Sequence, residues 1–292
     1  MAILRGMANS WAEVVVSSML AASILIGSNA SANDEGWQLV DPGNIAVLQV
    51  DGDRVVIELN PEFAPATVNQ FRRLAREGFY DGQSFYRVID GFVAQGGDGS
   101  DMGAANNEPT IRPEFERDWT DDIQYVRAQS PDLFAPEAGF VNGFPVAADR
   151  QSEKIWLTHC PGAIAMARLN AADSSSTDFY VVIGQAPRYL DRNLSVFGRV
   201  VLGLDVLQRL PRGSKESNGI LENIGDGSII DSVRILSDLP QAEQFSLWRV
   251  DTNGSGFSEM LDARRNRDAE FFVHKPSAVI DVCQVPLSGR IE

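Results

Sequence analysis

Apolar and polar positions change period several times along the chain. Between residues 44 and 60 they alternate in twos: Val55, Ile57 and Leu59 fall on one face, Val56, Glu58 and Asn60 on the other. That period predicts two strands, 44–50 and 54–60, turned at Asp51-Gly52. At Ala64-Pro65-Ala66-Thr67 the period lengthens. Val68, Phe71, Leu74 and Ala75 then form one stripe of a helix that Gly78 ends. Residues 85–98, FYRVIDGFVAQGGD, read as a hairpin. With Asp90-Gly91 as a two-residue loop, Ile89 pairs with Phe92 and Arg87 with Ala94. Arg87 and Phe92 then share a face, and Gln95 lies on the other unless a bulge brings it across.

From 98 to 156 no period is sustained, and Asn, Asp, Pro, Gly and Ala dominate. The expectation there is a long, mostly irregular insertion, about 99–158. Strands resume at 163–167, 179–183, 195–201 and 229–235, with a short helix at 204–210 and a polar turn, NAADSSS, at 170–176. Seven or eight strands around few helices predict a mainly β barrel or sandwich. Residues 239–292 form a C-terminal extension expected to lie on or beside it, with strand-like pieces at 271–273 and 278–282.

Composition narrows the function classes. The 292 residues are 44% hydrophobic, enough for a real core, and 25 Lys+Arg against 40 Asp+Glu give a net charge of −15. That balance argues against nucleic acid and anionic membrane as partners, since both need a basic face. At the start, Arg5, an apolar run at 14–26 and Ala30-Ser31-Ala32 have the order of a signal peptide, residues 1–32, cut after Ala32 to leave Asn33 first. The run is shorter than the ~20 residues of a spanning helix, so no stable membrane insertion is expected after cleavage. Glu13 beside that run leaves Met7 and Met19 as alternative starts. Export implies an oxidising compartment, in which Cys160 and Cys283 are either bridged or two buried thiols.

The order of motifs resembles the cyclophilins, the peptidyl-prolyl cis-trans isomerases. The resemblance runs from about Ile45 to Ile235 through APATVNQF, FYDGQSFYRVIDGFVAQGGD, GAIAMA, TDFYVVIG and YLDRNLSVFGRV. It implies an eight-stranded closed antiparallel barrel capped by two helices, here at about 66–77 and 204–210, within a domain spanning 33–238. It places Arg87 at the catalytic arginine and Gln95 at the active-site glutamine. Phe92, Val93, Tyr180 and Leu190 stand at the pocket for the proline ring, and Ala167 and Arg168 where backbone meets an extended peptide. Asp178, Tyr189 and Leu194 also stand at substrate-binding positions, but as departures: glutamine, tryptophan and histidine are usual there. Tyr86 likewise replaces a usual histidine. These losses count against cyclosporin binding and leave the arginine in place.

The residue types suit that chemistry. Rotation about a peptide bond meets a barrier of ~18–20 kcal/mol, and no bond need break. In the twisted amide the prolyl nitrogen regains a lone pair. A guanidinium that donates to it binds the transition state better than the ground state, and stays charged throughout. No metal, nucleotide or other cofactor is required. His159 and His274 are too few and too far apart for a triad or zinc site and read as structural. Asp251, Asn253, Ser255, Gly256 and Asp262 match calcium-loop positions, yet Ser258 stands where an apolar residue belongs and the closing glutamate is missing, so 251–262 reads as a surface turn. The expected protein is a monomeric periplasmic or secreted isomerase acting on proline-containing unfolded or extended polypeptides. The alternatives are a weakly active or inactive cyclophilin-like binding or chaperone module for envelope proteins and a structural or envelope-assembly protein that uses its tail as an interface.

Overall fold

Eight antiparallel strands carry the alternation read above, in the order β14-β2-β3-β13-β11-β12-β5-β4. They are β2 (Ile45–Val50), β3 (Asp53–Leu59), β4 (Ser84–Val88), β5 (Val93–Gly97), β11 (Ala163–Met166), β12 (Phe179–Val182), β13 (Val196–Leu202) and β14 (Ile230–Ile235). The numbering leaves β1 and β15–β16 for the termini and β6–β10 for the insertion. The computed structural model describes residues 36–100, 107–223, 229–287 and 289–292; the signal-peptide reading of 1–32 lies outside them. The sheet curls until its ends meet: Ile230 N donates to Gln83 O (2.8 Å) and Gly82 N to Ile230 O (2.9 Å). The result is a nearly closed barrel.

Inward positions of successive strands fill it: Leu48, Val50, Val55, Ile57, Phe85, Val88, Ala94, Ile164, Phe179, Val181 and Phe197. Helix α1 (Pro65–Arg76) adds the predicted stripe, with Val68, Phe71, Leu74 and Ala75 all buried. Phe71 meets Tyr80, Phe179 and Phe197 at ring-centroid distances of 5.2, 5.8 and 5.2 Å. Ala64 offers the first turn of α1 no side-chain cap. Glu114 supplies one instead, accepting from Ala66 N (2.8 Å), Thr67 N (2.9 Å) and Thr67 Oγ1 (2.7 Å). Helix α2 (Leu204–Gln208) is two residues shorter than the 204–210 expected.

Within the insertion, expected as a mostly irregular loop at 99–158, the structure shows an ordered sheet between residues 117 and 157, and this corrects that expectation. The sheet is antiparallel, in the order β6-β10-β9-β8-β7, built from β6 (Arg117–Asp118), β7 (Tyr125–Gln129), β8 (Glu137–Val141), β9 (Phe144–Asp149) and β10 (Lys154–Leu157). The period-2 signal was hidden because both faces are buried. Val146, Ala148, Ile155 and Leu157 pack against outward-facing barrel residues Val93, Ala165, Tyr180, Val182 and Val196. Phe140, Ala147 and Trp156 pack on the other side against the C-terminal extension. A sheet buried on two faces reads as a patchy apolar run without alternation.

The extension also differs from its reading. Residues 271–273 and 278–282 are not strands. Its strands are β15 (Leu247–Val250) and β16 (Gly289–Ile291), which join β1 (Trp37–Leu39) in a sheet ordered β1-β15-β16. Helix α3 (Ser255–Arg265) packs Phe257 and Leu261 over the insertion, Phe257 lying 5.0 Å from Phe140 between ring centroids. The helix takes up residues 255–265 and corrects the surface turn expected over 251–262; the calcium-like spacing from Asp251 to Asp262 falls across its start and cannot wrap a cation as a loop. Cys160 and Cys283 are joined, fastening the start of β11 to the extension across 123 residues of sequence.

Candidate active site

The hairpin β4–β5 sets the site, and its register differs from the expected one. Ile89 N donates to Val93 O and Phe92 N to Ile89 O, so the loop holds three residues, 90–92, with Gly91 at φ 67°. Arg87 consequently faces Gln95 and Val88 faces Ala94. A shift of one residue moves side chains to the opposite face, and here it carries Gln95 to the side of Arg87. The expected pairings of Arg87 with Ala94 and Ile89 with Phe92 are corrected by that loop. A bulge is present as well, between Ser84 and Arg87. It turns Phe85 into the barrel and brings Tyr86 out beside Arg87, which strict alternation forbids.

A chain of hydrogen bonds follows. Arg87 Nη1 donates to Gln95 Oε1 (2.7 Å), Gln95 Nε2 to the Tyr86 hydroxyl (2.7 Å), and that hydroxyl to Asp178 Oδ2 (3.1 Å). Asp178 Oδ1 accepts from Gly99 N (3.1 Å). Asp178 comes this close because residue 97 is glycine: a Cβ there would stand 2.1 Å from Asp178 Oδ1. Arg87 Nε donates to Asn218 O (3.0 Å). The segment around Asn218 runs along the free edge of β4, where Val88 N donates to Gly219 O and Leu221 N to Tyr86 O. With Nε and Nη1 held, the guanidinium is fixed in plane at the pocket wall, and among the described residues Nη2 makes no bond.

Beside it lies a pocket of about 170 Å³ lined by Arg87, Phe92, Val93, Gln95, Ala167, Arg168, Tyr180, Leu190 and Leu194. Nine of the eleven residues expected from the sequence thus share one cavity. The other two do not line it. Asp178 sits behind Gln95 and Tyr86. Tyr189 is 68% exposed, because in the turn Arg188–Leu190 the buried member is Arg188. Arg168 is fixed at the rim by Nε to Asn193 O (3.0 Å) and Nη1 to Leu169 O (2.8 Å). A larger cavity of about 390 Å³ lies elsewhere, among β13, the insertion and the extension, and holds none of these residues.

Beneath the pocket the structure adds residues that the sequence reading left as structural or did not name. The Tyr180 hydroxyl is 2.8 Å from His159 Nε2, and His159 Nδ1 is 3.0 Å from Asp191 Oδ1. A carboxylate only accepts, so Nδ1 carries the proton and Nε2 accepts from Tyr180. Burial, followed by the nearby Asp191 charge, pushes the Tyr180 phenol well above its ordinary value, so it keeps that proton. Asp191 also pairs with Arg188 Nε, and Arg188 Nη2 reaches Asp132 Oδ2 of the insertion (3.1 Å). The only sequence signal was a histidine between two strands, two residues after β10 and four before β11. Its partners lie 21 and 32 positions away, beyond any local pattern.

Tyr180→Phe keeps the ring and strips the buried Nε2 of its donor. Unfolding in urea is expected to show a loss of about 1–3 kcal/mol, the cost of a buried polar atom left unpaired. Unchanged stability would mean that water replaces the hydroxyl.

The site can seat a small apolar ring against Phe92, Tyr180 and Leu190 with a fixed donor at its edge. Known proteins agree with that geometry. Residues 45–236 match the cyclophilin-type peptidyl-prolyl cis-trans isomerase family. A crystal structure of a cyclophilin from Hirschia baltica is 32% identical, superimposes with a TM-score of 0.71, and covers 88% of this chain and 93% of its own. Peptidyl-prolyl cis-trans isomerase B of Bacillus subtilis is 33% identical over 163 residues, 56% of this chain and 87% of its own. A probable isomerase of Brucella suis is 27% identical over 220 residues, 71% of this chain and 91% of its own. The chain belongs to the cyclophilin-type peptidyl-prolyl cis-trans isomerases.

Proposed function

We propose that this isomerase is exported and turns Xaa-Pro bonds of unfolded or extended polypeptides in the periplasm, acting as a monomer. The observation that carries the location is the bridge between Cys160 and Cys283, since such bonds persist in oxidising compartments and are rare in the cytosol. The signal-peptide pattern of residues 1–32 supports the same reading. Within the site, Arg87 donates through Nη2 to the prolyl nitrogen as its lone pair appears. Gln95 and Asn218 keep the guanidinium in place. Phe92, Val93, Tyr180, Leu190 and Leu194 hold the ring, while Ala167 and Arg168 face the peptide backbone. Tyr86 and Asp178 anchor Gln95 from behind.

The location is tested by recovering the protein from the envelope fraction of cells that make it, then measuring its intact mass and free thiols. The expected result is a mature chain beginning at Asn33 with no reactive thiol until reductant is added. A cytoplasmic, full-length chain with two free thiols would overturn the export reading and leave the isomerase assignment untouched.

A further inference from the structure

The turn between β7 and β8 presents Leu133, 86% exposed, and Phe134, 49% exposed. Exposed apolar side chains at a loop tip are usually dispersed and mobile, but this turn is braced. Asp132 N donates to Ala135 O (3.1 Å), Phe134 N to Asp132 Oδ2 (3.0 Å), and Ser130 Oγ to Pro136 O (3.2 Å). It is also fastened to the pocket. Asp132 pairs with the buried Arg188 at 3.1 Å, and the Arg188 guanidinium lies 5.2 Å from the centre of the Phe134 ring. The next two residues are Tyr189, which stands out in solvent, and Leu190, which lines the prolyl pocket. Arg188 thus links the two groups: on its own segment the exposed Tyr189 and the pocket-lining Leu190, and across its contact with Asp132 and Phe134 the turn that exposes Phe134 and Leu133.

We propose that this surface binds an apolar arm of the same polypeptide whose Xaa-Pro bond occupies the pocket, so that the insertion selects unfolded, hydrophobic clients over short or polar peptides. The occupant is indicated by continuity with the pocket. A chain leaving the pocket over Leu190 passes Tyr189 first and reaches the braced turn next. The inference goes beyond the isomerase reading and depends on it, because the surface has no use unless a peptide sits in the pocket.

The test compares three proline substrates on wild type, Leu133→Ser and Leu133→Ser/Phe134→Ser. They are an Ala-Pro tetrapeptide, the same centre with an arm of Leu and Val, and the same centre with an arm of Ser and Thr. For wild type, kcat/KM is expected to favour the apolar arm over the polar arm by about tenfold, the scale of burying one large aliphatic side chain. In the variants that preference should fall towards unity through KM, with tetrapeptide turnover kept. Tetrapeptide turnover reports the pocket and the arm preference reports the surface, so the two readings fail separately. A wild type without arm preference overturns the inference, as does a preference that survives in both variants. So does sedimentation showing a wild-type dimer that Leu133→Ser dissociates, since the surface would then belong to a second copy.

Discussion

Arg87→Ala is expected to lower kcat/KM for a short Xaa-Pro peptide by about 10²–10³-fold, the scale of removing one donor that acts mainly on the transition state. The pocket walls come from Phe92, Tyr180 and Leu190, and the side-chain bonds of Arg87 go instead to Gln95 and the Asn218 carbonyl. The loss should therefore fall on kcat, with KM nearly unchanged, which marks an interaction made in the transition state. Folding should persist, because the bonds lost are an exposed one to the Asn218 carbonyl and a part-buried one to Gln95, which stays bonded to the Tyr86 hydroxyl. Arg87→Lys should recover little, since a lysine cannot hold Gln95 and Asn218 and still offer a fixed donor to the ring. Cis-to-trans kinetics of the peptide, with circular dichroism of each variant, decide it. A fall of less than about fivefold in a folded Arg87→Ala would remove the guanidinium from the mechanism and leave ring capture as the main source of rate.

The barrel was legible in the sequence because each of its strands shows inward side chains in a simple period, and α1 shows its stripe. The site was legible as a set of residue types in order, and nine of them meet in one pocket. What failed was geometry that depends on a single residue. Asp90-Gly91 suggests a two-residue loop, and the three-residue loop actually formed sends Gln95 to the other face. Tyr189 is expected at the substrate from the resemblance, and its neighbour Arg188 is not singled out by any pattern. The structure buries the arginine because Asp132 and Asp191 arrive from 56 and 3 residues away to neutralise it. The insertion failed differently. Its sheet lies between barrel and extension, so neither face offers solvent the polar positions that make a period visible.

Glu58 shows how far that layering reaches, and its removal should cost more stability than any change in the pocket. By alternation Glu58 belongs to the polar face of β3, turned away from Val55, Ile57 and Leu59. It is fully buried all the same, because the extension covers it. Its Oε2 accepts from Arg199 Nε and Nη2 (3.2 and 3.0 Å), and its Oε1 from Arg249 Nη1 (2.7 Å). Arg199 comes from the barrel and also reaches Leu287 O (2.8 Å); its guanidinium lies 5.1 Å from the Phe144 ring of the insertion. Arg249 comes from β15 and also donates to Gln38 of β1 (3.2 Å). One carboxylate thus holds barrel, insertion and both terminal segments at a single point. Such a group adds little net energy over an apolar replacement, but removing it alone leaves two guanidinia short of an acceptor, one of them deeply buried. Glu58→Ala is expected to lose about 3–5 kcal/mol in urea unfolding, and its β1-β15-β16 sheet should exchange amide protons before the barrel does. A loss below about 1 kcal/mol, or loss of protection in barrel and terminal sheet together, would show that the apolar contacts of Val40 and Leu247 hold the extension without the carboxylate.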